Sequence, residues 1–284
     1  MISDALTIAA YSLRESLRRR VFLVVALLTA AFLLLYRLGA RRAFAETAGV
    51  LPPEGIDAQT LVGATLLGLS MFATLFLGTV LAVFLTLGAV RGDAERGLLQ
   101  PLVVRPLGRT TVLLGRFLGA AAVCALYVLV VYGAALALTR EAGGWTPDRI
   151  VLPGLELAGA VAILVALSLL GSVLLSATAN GIAVFMLFGA GLVGGLLGQI
   201  GEAIDSPTLE RVSTRTAWAL PFEALYQDAL RRLTEDASGF TRFAVELGPF
   251  GGGYDYGSLL PWWSLAYLGG VLALGAVAFA RRDL

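Results

Sequence analysis

Long uncharged apolar runs alternate with shorter charged segments along this chain. The runs occupy residues 21–36, 58–90, 117–139, 157–201 and 256–280. A helix needs about 20 mainly apolar residues to cross the hydrocarbon core of a bilayer. The run 157–201 has 45 residues, which suits two crossings, and the stretch Ser176-Ala-Thr-Ala-Asn-Gly181 supplies turn-forming residues within it. The pattern therefore predicts an all-α membrane protein with six transmembrane helices.

The predicted elements form one membrane domain over residues 1–284. An interfacial elbow helix is predicted at 1–20, because Ile2, Leu6, Leu13 and Leu17 lie on one helical face; a leader without a role is the alternative. Residues 218–230 of an external insert are predicted to form an amphipathic helix. The spans are predicted at 21–38, 61–90, 112–138, 155–176, 181–200 and 258–280, with a cytoplasmic segment at 91–110 and the insert at 202–255.

The distribution of arginines predicts the orientation in the membrane. If the N-terminus is cytoplasmic, the short cytoplasmic segments carry eleven arginines and the short external ones carry five. Because basic residues are enriched in cytoplasmic loops, both termini are predicted to lie in the cytoplasm, with the chain in the inner cell membrane. A signal peptide cleaved after Ala45 is the competing interpretation, and Arg37, Arg41 and Arg42 before that position argue against it.

Composition excludes several chemistries. The chain is 58% hydrophobic and only 14% charged, against about 25% charged residues in soluble domains. It contains no lysine and no histidine, so it has neither a Walker lysine for ATP hydrolysis nor a histidine-based nucleophile or zinc site. A single cysteine and a net charge of +1 predict no disulfide, no metal site and no nucleic-acid partner.

The segment between the second and third predicted spans has the pattern of a docking element. Asp93 can cap a short helix that Pro101 ends after about two turns. Such a helix is too short to be stable alone, and it presents Leu98, Leu99 and Leu102 among charged residues. The pattern favours contact with a partner. A solvated loop whose arginines only set the topology is the alternative.

Several motifs resemble those of the membrane subunits of ABC-2 type (type V) ABC exporters. In that family an acidic pair, E-x-G-T-L and R-P-[VL]-S-R follow one another in the second intracellular segment. Here Asp93-Ala-Glu-Arg-Gly-Leu-Leu99 precedes Val104-Arg-Pro-Leu-Gly-Arg109 and Leu114-Gly-Arg-Phe-Leu-Gly119. The starting stretch 9–18 and the ending stretch 279–284 are also similar to the family's patterns. Gly97-Leu98 lacks the usual Thr and Gly108 stands where Ser is common, which leaves the subfamily open.

The resemblance implies a permease subunit that carries no ATPase and no cofactor of its own, since ATP is bound by a separate subunit. Two permeases and two ATP-binding subunits would form the working exporter in the lipid bilayer. The second permease is either another copy of this chain, giving a homodimer, or a paralogue. The residues expected to couple to the ATPase are Gly92, Asp93, Glu95, Gly97, Leu98, Leu99, Leu102 and Arg105.

Glycines in the fifth predicted span indicate close helix packing. Gly191 with Gly195, and Gly194 with Gly198, form GxxxG pairs that let helix backbones approach. The resemblance implies that this helix borders the translocation path and meets the second permease, so the glycines are candidates for a packing contact or gate. Close packing within one protomer is an equal alternative.

Polar residues within the predicted spans are few. Ser70, Thr74 and Thr79 are candidates for lining a path, although such hydroxyls often bond back to their own helix. Glu156 lies at the edge of a span after Pro153-Gly154, which favours a capping or solvated role. With no acid predicted deep in a span, ion coupling has little support. An ion-coupled secondary transporter or a non-transport membrane scaffold is the alternative function.

Overall fold

The described part of the chain is built from helices. The computed structural model describes residues 20–47, 57–87, 108–236, 241 and 256–281. Six helices in these ranges are long and apolar enough to cross a membrane. This confirms the prediction of an all-α, multi-pass membrane protein. Apart from Arg20, the elbow helix predicted at 1–20 lies outside the described residues.

Each of the first four membrane helices contacts the next one along the chain, and the sixth packs on the third and fourth. The membrane helices are α1 (Arg20–Thr47), α2 (Ala58–Thr86), α3 (Arg109–Gly143), α4 (Val151–Leu174), α5 (Ala177–Ala203) and α8 (Leu260–Ala280). The insert between α5 and α8 contains α6 (Pro207–Ala219), α7 (Pro221–Arg231) and a 3-10 turn at Arg232–Thr234. The end of the bundle that carries α6 and α7 is called the insert end. The other end, where α2 ends and α3 begins, is called the loop end.

Polar contacts extend α1 and α3 beyond their apolar runs at the insert end. Arg37 and Arg41 donate to the same carboxylate oxygen of Glu141 on α3, at 3.0 and 2.5 Å. The ring of Phe44 packs against Gly143, where an added Cβ would overlap it. The helix α1 therefore continues to Thr47, beyond residue 38, where the predicted span ends.

The connection between α4 and α5 is tighter and earlier than the sequence indicates. The break falls at Leu175 and Ser176, and the Ser176 hydroxyl caps α5 by accepting from the backbone N–H of Ala179 at 3.4 Å. Asn180 and Gly181, expected to form the turn, lie inside α5. The predicted position of the turn is wrong because the N-cap of Ser176 starts the helix before Asn180 is reached.

Two membrane helices occupy the interior and three face outward. Leu67, Met71 and Leu75 on α2 and Leu157 and Leu164 on α4 are fully buried. In contrast, α1, α5 and α8 each expose a row of large apolar side chains. Exposed apolar rows on long helices suit contact with lipid or with other membrane helices.

Pro221 divides the insert helix predicted over 218–230. The helix α6 ends at Ala219 and α7 begins at Pro221, with Leu220 extended between them. Proline lacks an N–H and disfavours helical backbone at the preceding residue, so it starts a helix rather than continuing one. The single-helix prediction is therefore wrong, and Trp218 belongs to α6. Its carbonyl accepts from Nε1 of Trp263 on α8 at 2.9 Å.

Candidate functional site between the glycine face and the insert

The insert packs on the row of glycines along α5. This glycine face comprises Gly191, Gly194, Gly195 and Gly198, and all four are buried. A Cβ added at Gly191 would lie 2.5 Å from Cζ of Phe222 on α7. The same addition at Gly194 would overlap the side chain of Thr216 on α6.

Side chains of the insert therefore occupy the space that larger residues on α5 would take. Of the two alternatives left open by the sequence, this packing lies within one chain. The same holds at Gly195, where an added Cβ would overlap the side chains of Glu223 and Gln227. Aromatic stacking continues the contact, with the rings of Phe188 on α5 and Phe222 on α7 at 6.0 Å and 14°.

A buried carboxyl group of α7 faces Gly195. Glu223 is 1% exposed and Gln227 is 4% exposed. Nε2 of Gln227 donates to Oε1 of Glu223 at 2.8 Å, whereas Oε2 of Glu223 and Oε1 of Gln227 are buried without a hydrogen-bond partner. Burial raises the pKa of Glu223 to about 7, and the hydrogen bond from Gln227 opposes this shift. Glu223 is therefore neutral or charged depending on pH near neutrality.

An ion cluster holds the end of α7 against the start of α4. Nε of Arg232 donates to Oε1 of Glu156 at 2.8 Å, and its Nη2 donates to Oδ2 of Asp228 at 2.7 Å. Arg231 donates to the other oxygen of Asp228 at 3.1 Å. The side chain of Glu156 is only 11% exposed. The solvated or capping role expected for Glu156 is therefore wrong, since it anchors the insert to the bundle.

The rim of this cluster is more exposed. Nε of Arg149 donates to Oε2 of Glu235 at 3.0 Å, and this bond holds the pKa of Glu235 below its usual value. The backbone N–H of Asp148 donates to the carbonyl of Leu233 at 3.2 Å. These contacts join the α3–α4 connection to the 3-10 turn that follows α7.

The three path candidates on α2 lie inside the bundle. Ser70, Thr74 and Thr79 are each 0% exposed. Their hydroxyls donate to backbone carbonyls three or four residues earlier in α2, at 2.7 to 2.8 Å. In this arrangement none of the three faces an open channel.

The residues expected to couple to the ATPase lie in the segment 88–107, which is outside the described residues. They are Gly92, Asp93, Glu95, Gly97, Leu98, Leu99, Leu102 and Arg105.

An open cavity of about 500 Å³ adjoins the glycine face. It lies beside Gly198 and Glu202 of α5, Glu210 and Trp218 of α6, and Tyr256 before α8. Within the described ranges, no group of three acidic or cysteine side chains is close enough to hold a metal ion. The cavity is a space between α5, the insert and the residues that precede α8.

The sequence pattern does not indicate that the polar side of α7 is buried. The apolar face of Phe222, Leu225 and Tyr226 suggested an amphipathic helix whose other face meets solvent, yet every residue from 221 to 230 is buried. The available signal was the i, i+4 spacing of Glu223 with Gln227, which places complementary polar groups side by side on a helix. Such spacing is common on solvated helices and does not by itself indicate burial.

Tight packing at the glycine face predicts opposite effects at two glycines of α5. Gly194→Ala should destabilise the protein by about 1–3 kcal/mol, because the new Cβ overlaps Thr216 close to its backbone. Gly189→Ala is the matched control, since nothing lies within 4 Å of the added Cβ. It should be neutral or stabilising because alanine favours helix. Thermal unfolding in detergent checks both variants, and equal melting temperatures would contradict tight packing at Gly194.

These features define a class of protein: a multi-pass α-helical membrane domain whose penultimate membrane helix carries an insert packed on its glycines. Within that class, the chain belongs to the ABC-2 family of transporter proteins, whose family model matches residues 6–284. This confirms the resemblance recognised from the motifs. Membership makes the chain, with its six apolar helices, a multi-pass membrane protein of this transporter family.

Two relatives share one name. Over 139 residues the chain is 37% identical to the probable ABC transporter permease protein NosY of Pseudomonas aeruginosa, which covers 48% of this chain and 46% of that protein. Over 132 residues it is 36% identical to the protein of the same name from Stutzerimonas stutzeri, covering 46% and 44%. The matches therefore span about half the length of each relative.

Proposed function

We propose that the chain is the permease subunit of an ATP-driven ABC exporter and forms its translocation path. The observation that carries this proposal is the family match over residues 6–284, joined to a bundle of six apolar helices. Two relatives named as ABC transporter permeases agree with it. Because residues 1–284 contain no lysine, we assign the Walker-type ATPase site to a partner subunit. The outward direction of transport rests on the resemblance to exporters.

The segment 88–107 is proposed to dock on that partner. The described part of α2 ends at Thr86 and α3 begins at Arg109, so the segment leaves and re-enters the bundle at the loop end. A soluble subunit can reach a segment there without entering the bilayer. Together with the arginine bias, this supports a cytoplasmic location for the loop end and both termini. The working unit is two copies of this chain with two ATP-binding subunits.

The glycine face is proposed as the gate on the opposite, external side. Phe222 of α7 fills the face at Gly191, so opening here requires α7 and α5 to separate. Ser70, Thr74 and Thr79 would line the path only in a conformation in which α2 separates from its neighbours, because all three are buried now. Opening between packed helices agrees with ATP-driven movement of rigid elements.

The runner-up function, ion-coupled transport, gains one observation. The sequence argument against it was the lack of acids deep in a span. Two acids outside the middle of the spans are nevertheless buried, since Glu223 of the insert is 1% exposed and the side chain of Glu156 near the start of α4 is 11% exposed. Buried ionisable groups near a membrane path are functional candidates by default. Because these acids are present, the charge pattern does not distinguish an ion-coupled transporter from an ABC permease. The presence or absence of an ATP-binding partner subunit does.

Purification from native membranes tests the proposal. The protein extracted in mild detergent should bring down a soluble subunit with a Walker A motif, identified by mass spectrometry, and the preparation should hydrolyse ATP. Leu98→Asp should abolish this association while membrane insertion is retained, because a buried charge at a docking face costs several kcal/mol. Leu259→Asp makes the same change at an exposed position of the insert end and should leave the association unchanged.

Two results would argue against this function. An ATPase-free homo-oligomer, unchanged after crosslinking in the membrane, would favour an ion-coupled transporter or a scaffold. Full association of the Leu98→Asp variant would remove the segment 88–107 from the docking surface and leave the orientation resting on the arginine bias alone.

A further inference from the structure

A buried chain of polar side chains joins three membrane helices at the loop end. Oγ1 of Thr86, the last residue of α2, lies 2.6 Å from Oγ of Ser168 on α4. Nδ2 of Asn180, in the first turn of α5, donates to the carbonyl of Ser168 at 2.9 Å and lies 3.5 Å from its hydroxyl. All three residues are at most 1% exposed. This set is called the loop-end clamp.

The loop-end clamp lowers the stability of the fold at one atom, which packing alone does not explain. Oδ1 of Asn180 is buried without a hydrogen-bond partner, and an unpaired buried polar atom costs about 1–3 kcal/mol. The α4 backbone also has to leave room, because a Cβ at Gly171 would overlap the Asn180 amide. An apolar residue of similar size at position 180 would fill the space without an unpaired oxygen. What the amide adds is a directional bond that fixes α5 on α4.

The loop-end clamp joins the end of α2 to a helix that reaches the insert end. Thr86 is the last residue of α2 before the chain enters the segment 88–107. Asn180 lies in the first turn of α5, which carries the glycine face and the packed insert further along. Between these two attachments α5 exposes large side chains such as Ile182, Met186 and Val193. Its other side is packed, because Val184 and Phe188 are buried and the ring of Phe188 lies 6.1 Å from that of Phe76 on α2. The helix is therefore held by polar contacts at its start and by the insert further along, with one apolar face covered between them.

We propose that Asn180 is a positioning residue that passes displacement of the α2 end, through Ser168, to α5 and so to the insert. The proposal deepens the permease function and rests on it. A hydrogen-bonded contact between rigid helices has two discrete arrangements, made or broken, as coupling between distant sites requires. The glycine contacts join α5 to α6 and α7, so a displacement of α5 changes how it packs against the insert.

The test uses the complex of the protein with its ATP-binding subunit, reconstituted in lipid nanodiscs. Cys124 is replaced by Ala, and spin labels are placed on cysteines at Val151 and Arg215. Both positions are exposed at the insert end, on α4 and α6 respectively. Their separation is measured without nucleotide and after trapping with ATP and vanadate, and ATP hydrolysis is measured on the same samples.

Trapping should change the 151–215 distance in the labelled wild-type background. In Asn180→Leu and Thr86→Val the population in the trapped distance should fall about 2- to 30-fold, the range expected for residues that carry coupling, while ATP hydrolysis continues. Thr86→Ser keeps a hydroxyl for Ser168 and should retain the wild-type change. This rescue separates loss of the bond from loss of the side chain.

Three results would overturn the proposal. One is an unaltered trapped distance in both Asn180→Leu and Thr86→Val. Another is a 151–215 distance in the variants that differs from wild type without nucleotide but still changes by the wild-type amount on trapping. The clamp would then contribute to stability alone. The third is a 151–215 distance in the wild-type background that does not change on trapping although ATP is hydrolysed. If no ATP-binding subunit joins the wild-type protein, the permease function itself fails, and the missing subunit distinguishes that outcome from the others.

Discussion

Arg232→Met is expected to destabilise the protein by about 3 kcal/mol, the lower part of the range for breaking a buried ion pair. The guanidinium bridges Glu156 on α4 and Asp228 on α7 at 2.8 and 2.7 Å. Its removal leaves the Glu156 carboxylate without its cation, and Asp228 keeps only Arg231. The lower part of the range applies because the Arg232 side chain is 21% exposed, which lets water screen the loss.

Cys124 offers a direct measurement of this effect. It is the chain's single cysteine and is buried, so a thiol-reactive fluorophore reports unfolding as the residue becomes accessible. The melting temperature of Arg232→Met should fall by several degrees. Adding Glu156→Gln should recover part of the loss, because the orphaned carboxylate becomes neutral.

Arg211→Met provides the matched control on α6. Arg211 is exposed and donates only to the Pro207 carbonyl and the Thr208 hydroxyl of its own helix. Its replacement should change stability by less than about 0.5 kcal/mol. If Arg211→Met and Arg232→Met melt alike, the ion cluster does not hold the insert on α4.

Glu223→Gln is expected to stabilise the protein at alkaline pH by about 3 kcal/mol and to have little effect at acidic pH. Burial raises the pKa of Glu223 from 4.5 to about 7 in the folded protein. The folded state therefore holds this proton more tightly than the unfolded state. Stability contributed by the protonated carboxyl is fully present below about pH 4.5 and is lost as the pH rises toward about 7.

The comparison of wild type with the variant across pH isolates this one group. Melting temperatures measured from pH 5 to pH 8.5 should fall for wild type relative to Glu223→Gln, because the neutral amide does not titrate. Glu210→Gln on α6 is the matched control, since Glu210 is exposed, and it should follow the wild-type curve. A constant difference between wild type and Glu223→Gln at every pH would show that Glu223 is not buried as a titrating carboxyl.

Helix number and type could be read from the sequence because both depend on local composition. The 45-residue run required two helices whatever its partners, and the structure has α4 and α5 there. The ends of these helices were predicted less well. Ser176 rather than Asn180-Gly181 makes the turn, because a hydroxyl cap competes with the turn preference of Asn-Gly. At Pro221 a rigid ring stopped one helix and started another.

The sequence predicted a close contact at the candidate site but not which residues make it. The GxxxG spacing indicated a close helix contact, but it did not identify the insert of the same chain as its occupant. The amphipathic pattern predicted over 218–230 has Glu223 and Gln227 on its polar face. The structure buries both residues because α7 is enclosed by α4, α5, α6 and α8. A spacing along one helix reports which residues share a face and is silent about what covers that face.

The sequence by itself determined the membrane class, the six helices and the family. These follow from composition, apolar run length and short motifs, which are properties of neighbouring residues. Only the tertiary structure decided which polar groups are buried and paired. Glu156 and Arg232 are 76 residues apart, and Thr86 and Ser168 are 82 apart. The energy of a buried polar group depends on its partner, and packing of the whole chain selects that partner.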